Sequence, residues 1–216
     1  MTPRADLIGG AAALGVTLSE ADAARLLRLL GELERWNRAY NLTSIDEREE
    51  MITHHLLDSL SVHPYLKGER IADVGTGAGF PGLPLAVVNP DRRFTLIDSS
   101  NKKVRFVAHA ARTLGLTNVE PVHARAEGLE PAEPFDTVVA RAFAAIPELL
   151  RVVAGLCGPG TRVIAMKGRR PDDEIAAIGA DWRLVGVEPV TVPQLGEERH
   201  LILIERPGSR SDAASR

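Results

Sequence analysis

The stretch Ile71-Ala72-Asp73-Val74-Gly75-Thr76-Gly77-Ala78-Gly79-Phe80-Pro81-Gly82 decides how the rest of the chain is read. Four glycines fall within eight positions, directly behind a short apolar run. That is the pattern of a strand ending in a tight turn. Glycine permits positive φ and carries no Cβ, so a ligand can lie against bare backbone. A helix opening near Leu83 would aim its N-terminal N–H groups at whatever occupies the turn. Asp73, at the strand end, would hold a carboxylate beside the same spot. The pattern describes a cradle for a nucleotide-like cofactor.

Two registers compete for the cofactor's identity. Counted from Gly77, the glycines match the dinucleotide fingerprint G-x-G-x-x-G, and an acid, Asp98, follows 21 residues later. In that fingerprint the first glycine directly follows the strand. Here the strand most naturally stops at Val74, which makes Gly75 the first glycine and puts Asp73 ahead of it. An acid there would repel a pyrophosphate but suits a cationic sulfonium and an ammonium. The pattern read from Gly75 resembles the first motif of Rossmann-like methyltransferases that use S-adenosylmethionine.

Composition bounds the rest. The chain has 216 residues, 44% of them hydrophobic, with a mean hydropathy of −0.04. These values describe an ordinary globular protein with length for a full core. A formal charge of −3 announces no global attraction to nucleic acid, so any such site must be a local patch. Cys157 is the single cysteine, which excludes an internal disulfide framework and fits a reducing compartment. No membrane-length apolar run and no secretory leader are visible, so a cytoplasmic protein is expected.

Residues 1–66 read as a helical extension. Ser19 is a good N-cap, and Leu26, Leu27, Leu30, Leu33 and Trp36 recur at helical spacing. Asp46 and Glu49 suggest a capping box for a second long helix running to Pro64. The segment Trp36–Thr43 reads as a helix end entering a loop, explicable by packing and turn chemistry alone. His54, His55 and Asp58 hint at a metal site, but no further ligand follows at suitable spacing. No metal is expected, and His55 with Asp58 would instead cap or orient something near the cradle.

From residue 67 to 206 strands and helices alternate, the mark of an α/β sheet. Strands are expected near 70–74, 93–98, 118–123, 135–140 and 161–166, with helices near 83–89, 101–114, 146–156 and 171–179. Residues 182–192 and 199–205 read as two closing strands, giving a seven-stranded, mostly parallel sheet with an antiparallel C-terminal strand. Residues 207–216 read as a frayed tail.

Candidate site residues fall at the carboxyl ends of these strands, where open α/β sheets bind ligands. Asp73, Gly75, Gly77, Gly79 and Phe80 belong to the cradle. Asp98 ends the second strand, suited to a ribose hydroxyl and to helix capping alike. After the third strand, Glu127 could accept from an adenine amino group or be an exposed acid in the first turn of a helix. The fourth strand delivers Arg141, a functional residue or a partner for Asp73 or Glu127. Two basic groups lie on the same edge: Lys102, Lys103 and Arg105 with Arg112, and then Lys167, Arg169 and Arg170. Each alone would be a solvated face, but two on the ligand edge of an acidic protein favour a polyanionic substrate.

Several stretches together carry a more specific resemblance. They are Trp36-Asn37 with Tyr40-Asn41-Leu42-Thr43; His55-Leu56-Leu57-Asp58-Ser59-Leu60; Asp73 through Gly82; Asp98-Ser99 with Lys102-Lys103-Val104-Arg105-Phe106; Arg141-Ala142-Phe143-Ala144; and Lys167-Gly168. With them the chain resembles the glucose-inhibited division protein B family, methyltransferases of small-subunit ribosomal RNA. The resemblance implies a class I, Rossmann-like fold and transfer of a methyl group from S-adenosylmethionine to nitrogen 7 of one guanine. That guanine lies in the 530 loop of 16S rRNA, so the implied partner is the 30S subunit. It further implies that Gly75 and Phe80 line the methionine end of the cofactor and Ala126 and Glu127 its adenine. Arg141 would stand on the cofactor or target side.

That chemistry agrees with the residues present. Guanine nitrogen 7 already offers a lone pair, so no general base is needed. Methylation at carbon 5 of a pyrimidine would want a cysteine nucleophile, and Cys157 is placed late in an expected helix. Where exocyclic adenine methylators carry an Asn/Asp-Pro-Pro-aromatic motif, this chain has Arg141-Ala142-Phe143. Catalysis would then be positioning, with Arg141, a donor without an acceptor, orienting the reactants. Phe80 or Phe143 could stack on the guanine or belong to the core. No apolar seam is left over, so a monomer is expected.

Overall fold

The computed structural model describes residues 2–208 of the chain. Among them, β1 (Arg70–Val74), β2 (Arg93–Asp98), β3 (Val119–His123), β4 (Phe135–Arg141), β5 (Cys157–Lys167), β6 (Arg183–Pro189) and β7 (His200–Glu205) form one sheet. Its order is β3-β2-β1-β4-β5-β7-β6. β1 pairs in parallel with β2 and β4, β2 with β3, and β4 with β5. Only β7 runs antiparallel, wedged between β5 and β6. The chain walks outward from β1 to β3, then restarts on the other side at β4. This reversal parts the connections above β1 and β4 and opens a crevice at their carboxyl ends.

Both faces of the sheet are covered, so its central strands are apolar throughout. Ile71, Ala72, Val138 and Val139 are all fully buried, and alternate residues enter two separate cores. One core lies under α5 (Gly82–Val88) and α6 (Asn101–Leu114), the other under α7 (Ile146–Val153). In α6 the buried residues Val104, Phe106, Val107, Ala110, Ala111 and Leu114 make one stripe. Gly115, at φ 67°, closes the helix in the left-handed conformation that glycine adopts without strain. α8 (Asp172–Ala176) is shorter than the stretch 171–179 suggests, because Trp182 N–H bonds back to the Gly179 carbonyl in a turn.

The N-terminal segment adds α1 (Pro3–Ala13), which the amphipathic pattern had not singled out, and α2 (Glu20–Tyr40). α2 opens on a real capping box: the Ser19 hydroxyl accepts from Asp22 N–H at 3.1 Å. Leu26, Leu30 and Leu33 of α2 share the core of α5 and α6. The expected box at Asp46 and Glu49 does not form. Asp46 instead accepts from the Asn37 side-chain amide at 3.1 Å, and the next helix begins two residues past it, with Glu47 at the N-cap making no side-chain bond. That helix is α3 (Arg48–Met51), a π turn (Ile52–Leu57) and α4 (Asp58–Leu60) in continuous succession. Cys157 is a second correction. It starts β5 instead of ending a helix, because Thr161 bridges the Phe135 carbonyl and Gly158 N–H and draws residues 157–160 into the sheet. Residues 209–216 of the expected tail lie outside the described residues.

Candidate active site

The glycine turn is stapled from within. Asp73 is buried at the end of β1, and its Oδ2 accepts from the Thr76 hydroxyl at 2.6 Å and from Gly82 N–H at 2.8 Å. The first donor of α5 therefore goes to Asp73 and not to a ligand. A Cβ at Gly82 would come within 2.7 Å of that same oxygen, so the close approach requires glycine. Gly75, at φ 70°, needs it for conformation instead. The other oxygen of Asp73, Oδ1, is buried and has no hydrogen-bond partner among the described residues. Burial pushes the Asp73 carboxyl up to about 6, against the pull of Thr76, of Gly82 N–H and of the Arg141 charge.

Above the turn lies a cavity of about 320 Å³, bordered by Gly75, Asp98, Lys103, Ala126, Glu127 and Arg141 among others. Asp98 holds Gly77 N–H at 2.9 Å with one oxygen and Ser100 N–H at 2.8 Å with the other. It thus pins the turn and opens α6 at once. Glu127 is exposed on the short turn after β3, where it can accept from a ligand. Gly77, Gly79 and Phe80 shape the turn but stay off the lining. Phe80 is buried and stacks on His55, with centroids 4.7 Å apart, which places it in the core and not on a free base.

A second cavity, of about 360 Å³, adjoins the first, and Arg141 and Ala142 border both. Its wall includes His54, His55 and Asp58 from the π turn and α4, Lys167 at the end of β5 with Gly168 after it, and Arg199. Arg141 donates to the His54 carbonyl at 2.8 Å and reaches Asp58 Oδ2 at 3.4 Å. Its expected structural partners, Asp73 and Glu127, make no hydrogen bond to it. Arg199 Nε donates to Asp58 Oδ1 at 3.0 Å, so one buried carboxylate stands between two guanidinium groups. Asp58 therefore holds Arg141 at the cradle's edge, whereas His55 packs on Phe80. Desolvation, reinforced by the Arg141 charge, pushes the His55 imidazole down to about 3, so it is neutral at pH 7. Its Nε2 meets the Thr43 hydroxyl at 3.0 Å.

The loop that delivers Thr43 is built by Asn37, whose carbonyl oxygen accepts from Leu42 and Thr43 N–H. Trp36 packs on Tyr40, Phe106 and His109. Packing and turn chemistry thus account for most of Trp36–Thr43. Sequence reasoning missed Arg199. The signal that could have found it is the antiparallel last strand, whose first residue, His200, pairs with Lys167 and so sits at the carboxyl edge.

The basic groups are less free than their count suggests. Lys102 donates to the Tyr40 carbonyl at 2.8 Å, and Lys103 borders the cofactor-sized cavity 4.0 Å from Asp98. Lys167 pairs with Glu174 at 2.8 Å and Arg170 with Asp172 at 2.6 Å. Arg105 and Arg169 are exposed and form no ion pair among the described residues. Among those residues no cluster of His, Cys, Asp and Glu is placed to hold a metal, and no helix is long and apolar enough to cross a membrane. Cys157 is buried at the opposite end of β5 from Lys167, and burial pushes its thiol up to about 12. It cannot serve as a nucleophile.

Comparison with known proteins adds the following. The family profile described as rRNA small subunit methyltransferase G matches residues 22–202. Ribosomal RNA small subunit methyltransferase G of Azoarcus sp. strain BH72 is 46% identical over 208 residues, covering 95% of this chain and 98% of the relative. The fold is similar to TrmN from Thermus thermophilus, with a TM-score of 0.55 at 23% identity, over 68% of this chain and 47% of that one. It is also similar to a coclaurine N-methyltransferase crystallised with N-methylheliamine and SAH, with a TM-score of 0.52 at 18% identity, over 69% and 52% of the two chains.

Proposed function

The chain belongs to the rRNA small subunit methyltransferase G family, and from that premise we propose that it methylates nitrogen 7 of one guanine in the 530 loop of 16S rRNA. S-adenosylmethionine supplies the methyl group, carried on a positively charged sulfur. The observation that carries the reading is the pair of adjoining cavities that share Arg141 and Ala142. A donor held over the glycine turn and a base held beside His55 would face each other across that one wall.

The residues of the first cavity fit such a donor. Asp73 lies buried beneath the turn and off the cavity lining, where its charge favours a cationic donor, and Asp98, which does border the cavity, retains lone pairs for ribose hydroxyls. Ala126 and Glu127 border the far end, where an adenine amino group would find the Glu127 carboxylate. The second cavity supports a reaction without proton abstraction. His55 is neutral, but its Nδ1 is buried away from the cavity surface. Asp58 has both oxygens engaged by arginines. Nitrogen 7 of guanine brings its own lone pair and needs neither. Arg141, braced by Asp58 and the His54 carbonyl, orients the reactants across the shared wall. Exposed Arg105 and Arg169 flank this edge for contact with phosphates. The same reading has the protein working as a monomer in the cytoplasm, which sedimentation at micromolar concentration would check.

The experiment is transfer of labelled methyl from S-adenosylmethionine to 30S subunits taken from cells lacking this protein. The RNA is then cleaved chemically at 7-methylguanosine and the break mapped by primer extension. A single break in the 530 loop is expected. Label at another nucleotide would overturn the target, and no label with S-adenosylhomocysteine still bound would overturn the substrate. Failure of S-adenosylhomocysteine to raise the melting temperature would overturn the cofactor.

A further inference from the structure

Asp58 is almost completely buried, yet it faces no lysine or backbone amide; its two oxygens are divided between Arg141 and Arg199. The two arginines come from opposite parts of the chain, one from the end of β4 and one from the connection before β7. Each is held by a further bond: Arg141 by the His54 carbonyl at 2.8 Å, Arg199 Nη1 by Glu197 at 3.0 Å and the Glu198 carbonyl at 2.9 Å. The Arg199 backbone is fixed as well, since its carbonyl accepts from Val190 N–H at 2.8 Å. After these contacts, Arg199 Nη2 and Arg141 Nε and Nη2 donate no hydrogen bond among the described residues. Both side chains line the second cavity. Its charged lining is thus three cations and one carboxylate, with that carboxylate engaged by two of the cations. Lys167, the third, is occupied by Glu174 and the Ala144 carbonyl.

Purines differ at carbon 6 in a way such a cavity can read. Guanine presents an acceptor, O6, beside N7, whereas adenine presents an amino donor there. We propose that Arg199, held in place by Asp58, selects guanine over adenine by donating to O6 while leaving N7 free. Asp58 is the positioning residue: its charge also offsets the two guanidinium groups around a base that becomes cationic on methylation. In that step the lone pair of N7 forms the new N–CH3 bond, and the S–CH3 bond breaks with its electron pair passing to sulfur. The sulfonium becomes a neutral thioether and the positive charge moves to the guanine. Adenine would set its amino group against unpaired guanidinium N–H groups, donor against donor, with the cavity's one carboxylate already engaged by both arginines.

This inference rests on the function proposed above, and the test separates the two. Dissociation constants are measured, with S-adenosylhomocysteine present, for unmethylated 30S subunits bearing guanine or adenine at the target position. The unaltered protein is expected to prefer guanine by about ten-fold or more, the size of one specific base contact. Arg199→Gln, which offers an acceptor as well as a donor, is expected to bring the ratio within about two-fold. Arg199→Lys keeps a donor and is expected to retain part of the preference. Asp58→Asn is expected to lower the ratio too, with affinity for S-adenosylhomocysteine unchanged, which a general loss of structure would not leave intact. An undiminished ratio in Arg199→Gln, or no preference in the unaltered protein, overturns the inference alone if guanine-bearing subunits are still methylated. If they accept no methyl at all, the proposed function falls and this inference falls with it.

Discussion

The glycine turn that floors the first cavity and the charged wall of the second are built in opposite ways. The turn is local: Asp73, Thr76 and Gly82 close on one another within ten residues, and Asp98 joins them from the neighbouring strand, although the cavity above it also draws on residues after β3 and β4. The other is assembled from four distant places, namely the π turn with α4, the end of β4, the end of β5 and the start of β7. A local site is held by backbone geometry that glycine and one buried acid impose. An assembled site is held by charge, with Asp58 as its centre. The difference teaches where each should fail. Damage to the glycine turn should reach the cofactor, and damage around Asp58 should reach the target base and the packing of the N-terminal helices.

The largest expected effect comes from Asp58→Ala. Removing the shared carboxylate leaves two half-buried guanidinium groups short of a partner, a loss of about 3 kcal/mol in unfolding free energy. Urea denaturation measures it, and a loss below about 1 kcal/mol would show that the arginines find other partners. Next is Arg141→Ala, which touches both cavities. Turnover on 30S subunits should fall about 100-fold, the cost of misplacing a reactant by about an ångström. Affinity for S-adenosylhomocysteine, measured by calorimetry, should change far less. Equal losses would place Arg141 with the cofactor only.

Gly82→Ala sharpens the other half. Its Cβ would press on Asp73 Oδ2 and on Leu96, a strain of about 1–3 kcal/mol. Cofactor affinity should drop with it, while the ratio of guanine to adenine binding stays as it was. Thermal melting with and without S-adenosylhomocysteine reads both outcomes. The smallest effect is one of pH. Asp73 has its carboxyl raised to about 6 by burial, so it takes up a proton as pH falls through that value. A protonated Asp73 no longer attracts an ammonium, so cofactor affinity should fall by up to about ten-fold per pH unit below 6. The sign for folding is opposite. An acid whose folded value is raised binds its proton more readily when folded, so this group's contribution to stability declines as pH rises from about 4 to about 6. Asp73→Asn should flatten the affinity profile between pH 5 and 8. A profile that stays steep would move the titration to another group.

The last element to be understood, β7, marks the boundary of what could be read in advance. Two closing strands with an antiparallel finish were legible, yet nothing local said that Arg199, one residue before the partner of Lys167, would face Asp58. The Asp46 box failed for a related reason: Asn37, nine residues upstream, competes for the same carboxylate. Cys157 falls late in the helix expected from sequence, whereas Thr161 hydrogen bonds draw residues 157–160 into the sheet.

Alternating periodicity and the glycine register of residues 71–82 were enough by themselves to predict a mostly parallel sheet with a ligand edge at the carboxyl ends of its strands, whereas the strand order and its reversal between β1 and β4 came from the structure. The place of the cofactor cradle followed from them, because strand alternation, turn chemistry and a strand-end acid act over a few residues. The family resemblance was legible for the same reason, its motifs being short and contiguous. Tertiary structure alone decided which charges meet. The Asp58 contacts with Arg141 and Arg199 span 83 and 141 residues of chain. Such contacts depend on where the sheet's edges and the N-terminal helices come to rest. Coulomb attraction and burial act through space, and no pattern along the chain encodes them.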